Sequence, residues 1–357
     1  MPKKNKTKNL FKLLWRNTLS DYVTAIAWSV DGSFLVASSA AGEVVQYDVA
    51  TEKVTVLQEE QIESVDALAI SADGQFLAAG GQAGTVWIWR FEDGEATLIE
   101  TLEHSRAWID CLRWHPTESE LAFSFGRYVQ VWDAIAQAVI TTLNFETSSV
   151  LDIAWHPTGD RLSISGHQII KTWSQQNWDK DPNIKRTGGA NHAISWSSNG
   201  QYFASGDSTN SVTVWEDGIP YPWEMSDFPG KVRLVDWSEK KGSTGTPLLA
   251  SASRYSVVVW TKEKKDDGVW AAEVLNIHQG NVTAIAFQPK TLLIASAAED
   301  GQLCLWDKGR RLTQVLQDSP AEYSCLAWSS SGEAIAAGND QGEILLWTKT
   351  MAGSGFG

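Results

Sequence analysis

Six histidines, three cysteines and 43 acidic residues could carry metal or acid–base chemistry in this 357-residue chain. His192, Asp66 and Asp110 have the donor types of a zinc site, with Asp152 as a further donor. Zinc requires such donors to converge within about 2.0–2.3 Å of one point. That candidate therefore depends on the elements that would bring them together. Catalytic sets of Ser, His and Asp have no supporting motif. There is no Gly-x-Ser-x-Gly, no His-Glu-x-x-His, no phosphate loop and no Gly-x-Gly-x-x-Gly. Gly80-Gly81 and Gly188-Gly189 read as turn residues. Cys111, Cys304 and Cys325 lie far apart, without metal or redox spacing, and point to a reducing compartment. The residues thus predict no enzyme and no cofactor.

The elements that must position these groups are marked by tryptophan, of which there are 19. One series runs Trp28, Trp114, Trp155, Trp196, Trp237 and Trp328, with Ile70 and Phe287 in its two gaps. A second runs Tyr47, Trp89, Trp132, Trp173, Trp215, Trp260, Trp306 and Trp347. A period of about 40–45 residues marks a propeller or solenoid. Each period holds four short runs rich in Val, Ile and aromatic residues, bounded by turn signals, which predicts four antiparallel strands. Relative to the first-series residue, position −2 is large throughout. Position −1 is small except for Arg113 and Asp236. Alternate residues face opposite sides of a strand, so each sheet has one bulky and one shallow face. Sheets stacked around an axis interlock on that basis.

At this point the resemblance becomes specific. The run from Ile277-His278 through Val282, Ile294-Ala-Ser296-Ala, Asp300-Gly301 and Leu305-Trp306-Asp307 resembles a WD40 repeat. Trp114-His115-Pro116, Trp155-His156-Pro157 and Val131-Trp132-Asp133 are further pieces of that pattern. The resemblance spans about residues 20–348. It implies an all-β, WD40-type β-propeller. Eight anchors per series predict eight four-stranded blades, against the family's usual seven. The N-terminal strand 9–15 would complete blade 8. The expected organisation is a basic tail at 1–8, one propeller at 9–348 and a C-terminal tail at 349–357. Irregular segments are expected at 174–190, 216–231, 239–247 and 262–271. By the same resemblance, His278, Ser296, Asp300 and Trp306 form a buried hydrogen-bond network within one blade. His104 falls at the matching position of blade 3, but Gly126-Arg127 stands where the turn Asp would lie.

Position −4 reads Thr24, Asp66, Asp110, Leu151, His192, Arg233, Thr283 and Ser324. The resemblance places it near the top of the innermost strand, beside the central opening. Blades 2, 3 and 5 stand apart around a wide ring, so Asp66, Asp110 and His192 are not expected to meet on a metal. Together with Tyr22, Trp108 and Arg233 they form instead the expected partner-binding surface of a protein–protein scaffold. A metal- or small-ligand-binding protein using the channel rim is the alternative. Net charge is −14, from 29 basic and 43 acidic residues. It argues against nucleic acid, whose affinity rests on neutralised phosphates. It favours protein partners with a basic patch. No apolar run reaches the roughly 18 residues of a membrane span. The apolar run Leu10–Trp15 is broken by Lys12 and too short for a signal peptide. A cytoplasmic protein without a membrane partner is expected.

Overall fold

The computed structural model describes residues 9–104, 107–264 and 268–350. The expected tails at 1–8 and 351–357 lie outside these residues. Among the described residues every regular element is a β-strand. The strands form six four-stranded antiparallel sheets and one seven-stranded sheet, which divides at a shared strand into two four-stranded units, and these units are numbered in chain order as the blades of a β-propeller. Blade 1 is Val23–Trp28, Phe34–Ser39, Val44–Asp48 and Val54–Gln58, paired in sequence order. The innermost strands of the next two blades are Val65–Ile70 and Leu112–Trp114. Those of blades 4, 6, 7 and 8 are Asp152–Trp155, Leu234–Lys241, Val282–Phe287 and Tyr323–Trp328.

The fourth strand of blade 8 comes from the other end of the chain. Phe11–Thr18 pairs antiparallel with Glu343–Lys349, with Phe11 opposite Lys349 and Thr18 opposite Glu343. This strand starts and ends later than the 9–15 read from sequence. The Leu10 and Phe11 amides donate to Gln314 Oε1 of blade 7, and the ladder then follows its partner to Thr18. Phe11 and Trp15 are buried by the pairing.

Blades 4 and 5 share one strand. Asn183–Trp196 pairs with His167–Ser174 through its first half and with Tyr202–Asp207 through its second. The stretch 183–190, expected to be irregular, is therefore strand. Gly188 and Gly189 lie inside it rather than in a turn. A Cβ at Gly189 would come within 2.5 Å of Ser208 Oγ. Gly80 and Gly81 also lie within a strand, Phe76–Gly81, and a Cβ at Gly81 would sit 2.0 Å from the Ser64 carbonyl. These glycines permit close approach between backbones.

The first-series tryptophans tie neighbouring blades. An innermost strand is an edge, and part of its backbone lacks a partner within the sheet. The Trp28 indole donates to the Ala327 carbonyl at 3.0 Å, across the junction of the first and last blades. Trp114, Trp155, Trp237 and Trp328 donate likewise to Ala69, Arg113, Ser195 and Ala286, each at position −1 of the preceding blade. Trp196 donates to Ser163 Oγ of blade 4. Phe287 has no indole. Its amide instead donates to Asp236 Oδ2 of blade 6 at 2.7 Å.

A second staple joins the turns. His115 Nε2 meets the Gly159 carbonyl at 3.1 Å, while its Nδ1 accepts the Glu118 amide. His156 meets the Gly200 carbonyl, and Gln288 that of Gly332. The His-Pro pairs therefore do more than shape their own turns. They hold the glycine turn of the next blade.

Candidate functional site at the mouth of the central cavity

Innermost strands from seven blades line two cavities that meet at Arg113 and Trp114. The upper end is taken as the end where these strands begin. There, position −4 behaves in two ways. In blades 1, 7 and 8 it is a hydroxyl that bonds the next blade. Thr24 donates to the Val65 carbonyl, Thr283 to Tyr323 at 2.7 Å and Ser324 to Val23 at 2.6 Å. In blades 2, 3, 5 and 6 it is Asp66, Asp110, His192 and Arg233, which make no such bond. The ionisable residues therefore occupy blades 2, 3, 5 and 6, carboxyls on the first two and His192 and Arg233 on the others, with Leu151 of blade 4 between them.

Asp110, His192 and Arg233 line one open cavity of about 610 Å³. Burial raises the Asp110 carboxyl above its ordinary range, and the Asp66 charge raises it further. Asp66 accepts the Ser64 hydroxyl at 2.9 Å. Burial lowers the His192 imidazole, and the cations of Arg233 and Lys231 lower it further. His192 Nε2 is buried with no hydrogen-bond partner among the described residues. Tyr22 lies beside Ser324 and Cys325 of blade 8. Burial raises its phenol, and Cys325, Asp340 and Asp66 add to the shift.

Trp108 is 59% exposed, although the next residue is fully buried. Ile109 anchors the segment by donating its amide to the Gly81 carbonyl and packing onto Gly80. Trp108 is thereby held outward. The other tryptophans outside the two series pack inward. Trp178 meets Trp155 edge-on, and Trp223 and Trp270 cluster with each other near Tyr202 and Trp237.

The metal candidates do not assemble into a ligand set. Among the described residues no group of three or more His, Cys, Asp or Glu side chains is placed to hold an ion. Asp152 is already engaged. It takes Arg113 at 3.1 Å and the amides of Ile153 and Ile194. This ion pair lines the same cavity and was not singled out from sequence as a site feature. The signal available was Arg113 itself, a large residue in a series of small ones. Lys231 was likewise missed, because its approach to His192 depends on the turn after Phe228.

The blade 7 network is compact. His278 Nε2 meets Ser296 Oγ at 2.8 Å, the Trp306 indole donates to the same oxygen at 3.0 Å, and His278 Nδ1 faces Asp300 at 3.3 Å. His104 has no such partners. Its ring stacks on Phe125 at 4.3 Å, and Nε2 is left unbonded among the described residues.

Four segments, 15–48, 52–90, 191–216 and 272–307, match the family model described as WD domain, G-beta repeat. The chain carries WD40 repeats. It is 29% identical over 127 residues to Pre-mRNA-processing factor 19 homolog 2 of Arabidopsis thaliana, covering 34% of this chain and 24% of that protein. It is 26% identical over 162 residues to Protein transport protein sec13 of Neurospora crassa, covering 43% of this chain and 49% of that protein. A shorter match, 36% over 76 residues, joins it to Periodic tryptophan protein 2 homolog of Dictyostelium discoideum, covering 20% of this chain and 8% of that protein. The chain spans less than half the length of these relatives. The WD40 matches fall on blades 1, 2, 5 and 7, whereas the mouth draws Asp110 and Arg233 from blades 3 and 6.

Proposed function

We propose that this WD40-repeat protein is a non-catalytic scaffold that binds partner proteins over the upper mouth of the propeller. One domain, residues 9–348, would carry the site. The observation behind this reading is the divided ring at position −4. Three hydroxyls are consumed between blades, whereas Asp110, His192 and Arg233 line the mouth and Asp66 holds the same strand position on blade 2. Exposed Trp108 and half-exposed Tyr22 flank them. Aromatic and Arg side chains held by a rigid frame concentrate binding energy, because little ordering remains to be done on association. A basic segment of the partner would meet Asp66 and Asp110, with Arg233 and Lys231 fixing its direction. Two of the relatives, a pre-mRNA-processing factor and a protein transport protein, have names compatible with assembly roles. The three free cysteines support a reducing, cytoplasmic setting.

The test is affinity capture from native lysate with wild type, with Trp108→Ala/Arg233→Ala, and with Ile135→Ala/Tyr221→Ala at the lower end. A partner lost only with the upper pair is expected. A partner set unchanged by the upper pair refutes the assignment.

A further inference from the structure

The cations of this acidic chain are unevenly partnered. Lys171 and Lys262 reach carboxylates at 2.9 and 2.5 Å. Lys185 reaches none among the described residues, yet it is partly buried. Its burial, with Arg161 close by, lowers its affinity for a proton. Its ammonium lies 5.9 Å from the Trp215 ring centre, and the Arg161 guanidinium lies 5.1 Å from that of Trp196. Two like charges in a partly desolvated recess repel each other. The indole faces offset part of that cost and fix both cations in place.

The recess has a structural origin. The fourth strand of blade 5 is only Trp223–Met225 and pairs with Val212–Val214. Residues 217–222 contain Pro220 and Pro222, which cannot donate to a ladder. The edge beside Trp215 is thus left uncovered. On the other side, the strand shared by blades 4 and 5 carries Lys185 past it. A cavity of about 560 Å³ results, lined by Arg161, Trp173, Lys180, Asn183, Lys185 and Trp196. It continues past Trp215 into a second space of about 350 Å³. Arg161 is partly engaged. Its Nε donates to Asp160 at 3.4 Å, and its Nη2 lies 2.8 Å from His156 Nε2, the nitrogen that faces the Gly200 carbonyl. Its Nη1 has no partner among the described residues. Asp181 and Asp217 also line the recess; the Asp217 charge partly opposes the lowering of Lys185, whose ammonium donates to Asn183 Oδ1 at 3.4 Å.

We propose that this recess, between blades 4 and 5 at the lower end, binds a phosphate-class dianion through Arg161 and Lys185, with Lys180 at its rim. A tetrahedral dianion can face Arg161 Nη1 and Lys185 Nζ with separate oxygens and offset both charges. A single carboxylate offsets one. The site is separate from the mouth, at the opposite end of the blades. Its ligand is either a free phosphate ester or a phosphorylated side chain.

The test uses the whole chain and needs no variant to begin. Acylation of Lys185 by acetic anhydride is followed by mass spectrometry, in chloride and in inorganic phosphate at equal ionic strength. Phosphate should slow acylation of Lys185 at least about threefold and leave Lys231 unaffected. Lys185→Gln and Arg161→Gln, checked for native circular dichroism, should each weaken phosphate binding about tenfold by titration calorimetry. A phosphoserine peptide and glucose 6-phosphate, run in parallel, separate the two sources, and stronger protection by either supports the site. Equal protection by succinate, or no protection by phosphate, overturns the proposal.

Discussion

Asp236 offers the sharpest check on how the blades are joined. It occupies position −1 of blade 6, where every other blade except blade 3, with Arg113, carries a small residue, and its Oδ2 accepts the Phe287 amide of blade 7. Burial pushes its carboxyl from the ordinary 3.8 up to about 7, Glu239 adds to the rise, and the Phe287 and Trp237 amides oppose it. A raised carboxyl means that the folded state binds more protons than the unfolded state between these two values. Its contribution is therefore full below the ordinary value and is lost as pH rises through about 7. The whole gap corresponds to about 4 kcal/mol. Asp236 is only half-buried and part of the change is already complete at pH 5, so about 2 kcal/mol is expected between about pH 5 and about pH 8.5. Asp236→Asn keeps an acceptor for Phe287 and removes the charge. Thermal unfolding of both proteins at the two pH values gives the difference of differences. The variant should gain about 3 °C on wild type at the alkaline pH relative to the acidic one. Identical pH slopes, or a wild type that gains with pH relative to the variant, would refute a buried carboxylate at this junction.

Other outcomes follow from the same contacts. Trp28→Phe keeps the ring and removes the bond to Ala327, so unfolding free energy should fall by about 1–2 kcal/mol in denaturant titration. Gly159→Ala places a Cβ 2.1 Å from His115 Nε2 and should cost about 3 kcal/mol, whereas Gly94→Ala, with nothing within 4 Å, should cost about 1 kcal/mol. Adding His115→Ala to Gly159→Ala should recover part of that loss; strict additivity would show that the two residues do not touch. Burial lowers the imidazoles of His156 and His278, so their contribution is present above the ordinary value of 6.5 and lost as pH falls below it. His278→Gln should flatten the acid limb of the melting profile. Deleting residues 1–18 removes buried Phe11 and Trp15 and opens blade 8, and an unchanged melting temperature would contradict the observed pairing.

The blades were legible in sequence because their signal is periodic and local. Trp28, Trp155 and Trp237 recur at matching places since each answers the same unpaired carbonyl on the blade before it. The hydrogen-bond set of blade 7 was expected from the WD40 resemblance, which matched His278, Ser296, Asp300 and Trp306 position by position. What escaped depends on neighbours distant in sequence. Gly188 and Gly189 looked like turn residues, yet Ser208 and Thr209 crowd them inside a strand. The mouth was half legible. Position −4 was recognisable as a ring, but its division into hydroxyl staples and free charges rests on the orientation of Val23, Val65 and Tyr323 carbonyls. The charged recess was out of reach, because the shortness of Trp223–Met225 is a property of the sheet rather than of its residues.

The pairing of Phe11 with Lys349 has a mechanical consequence. The Thr350 amide donates to the Leu10 carbonyl, so the two ends of the pair are held side by side at the lower end. Tension applied through both ends would load the ladder one rung at a time, from Lys349 toward Glu343. A closure of this kind opens like a zipper under small force, although the same strands resist heat together. Anything fused before Phe11 or after Lys349 would also hang below the ring, leaving Trp108 and Arg233 unobstructed at the other end.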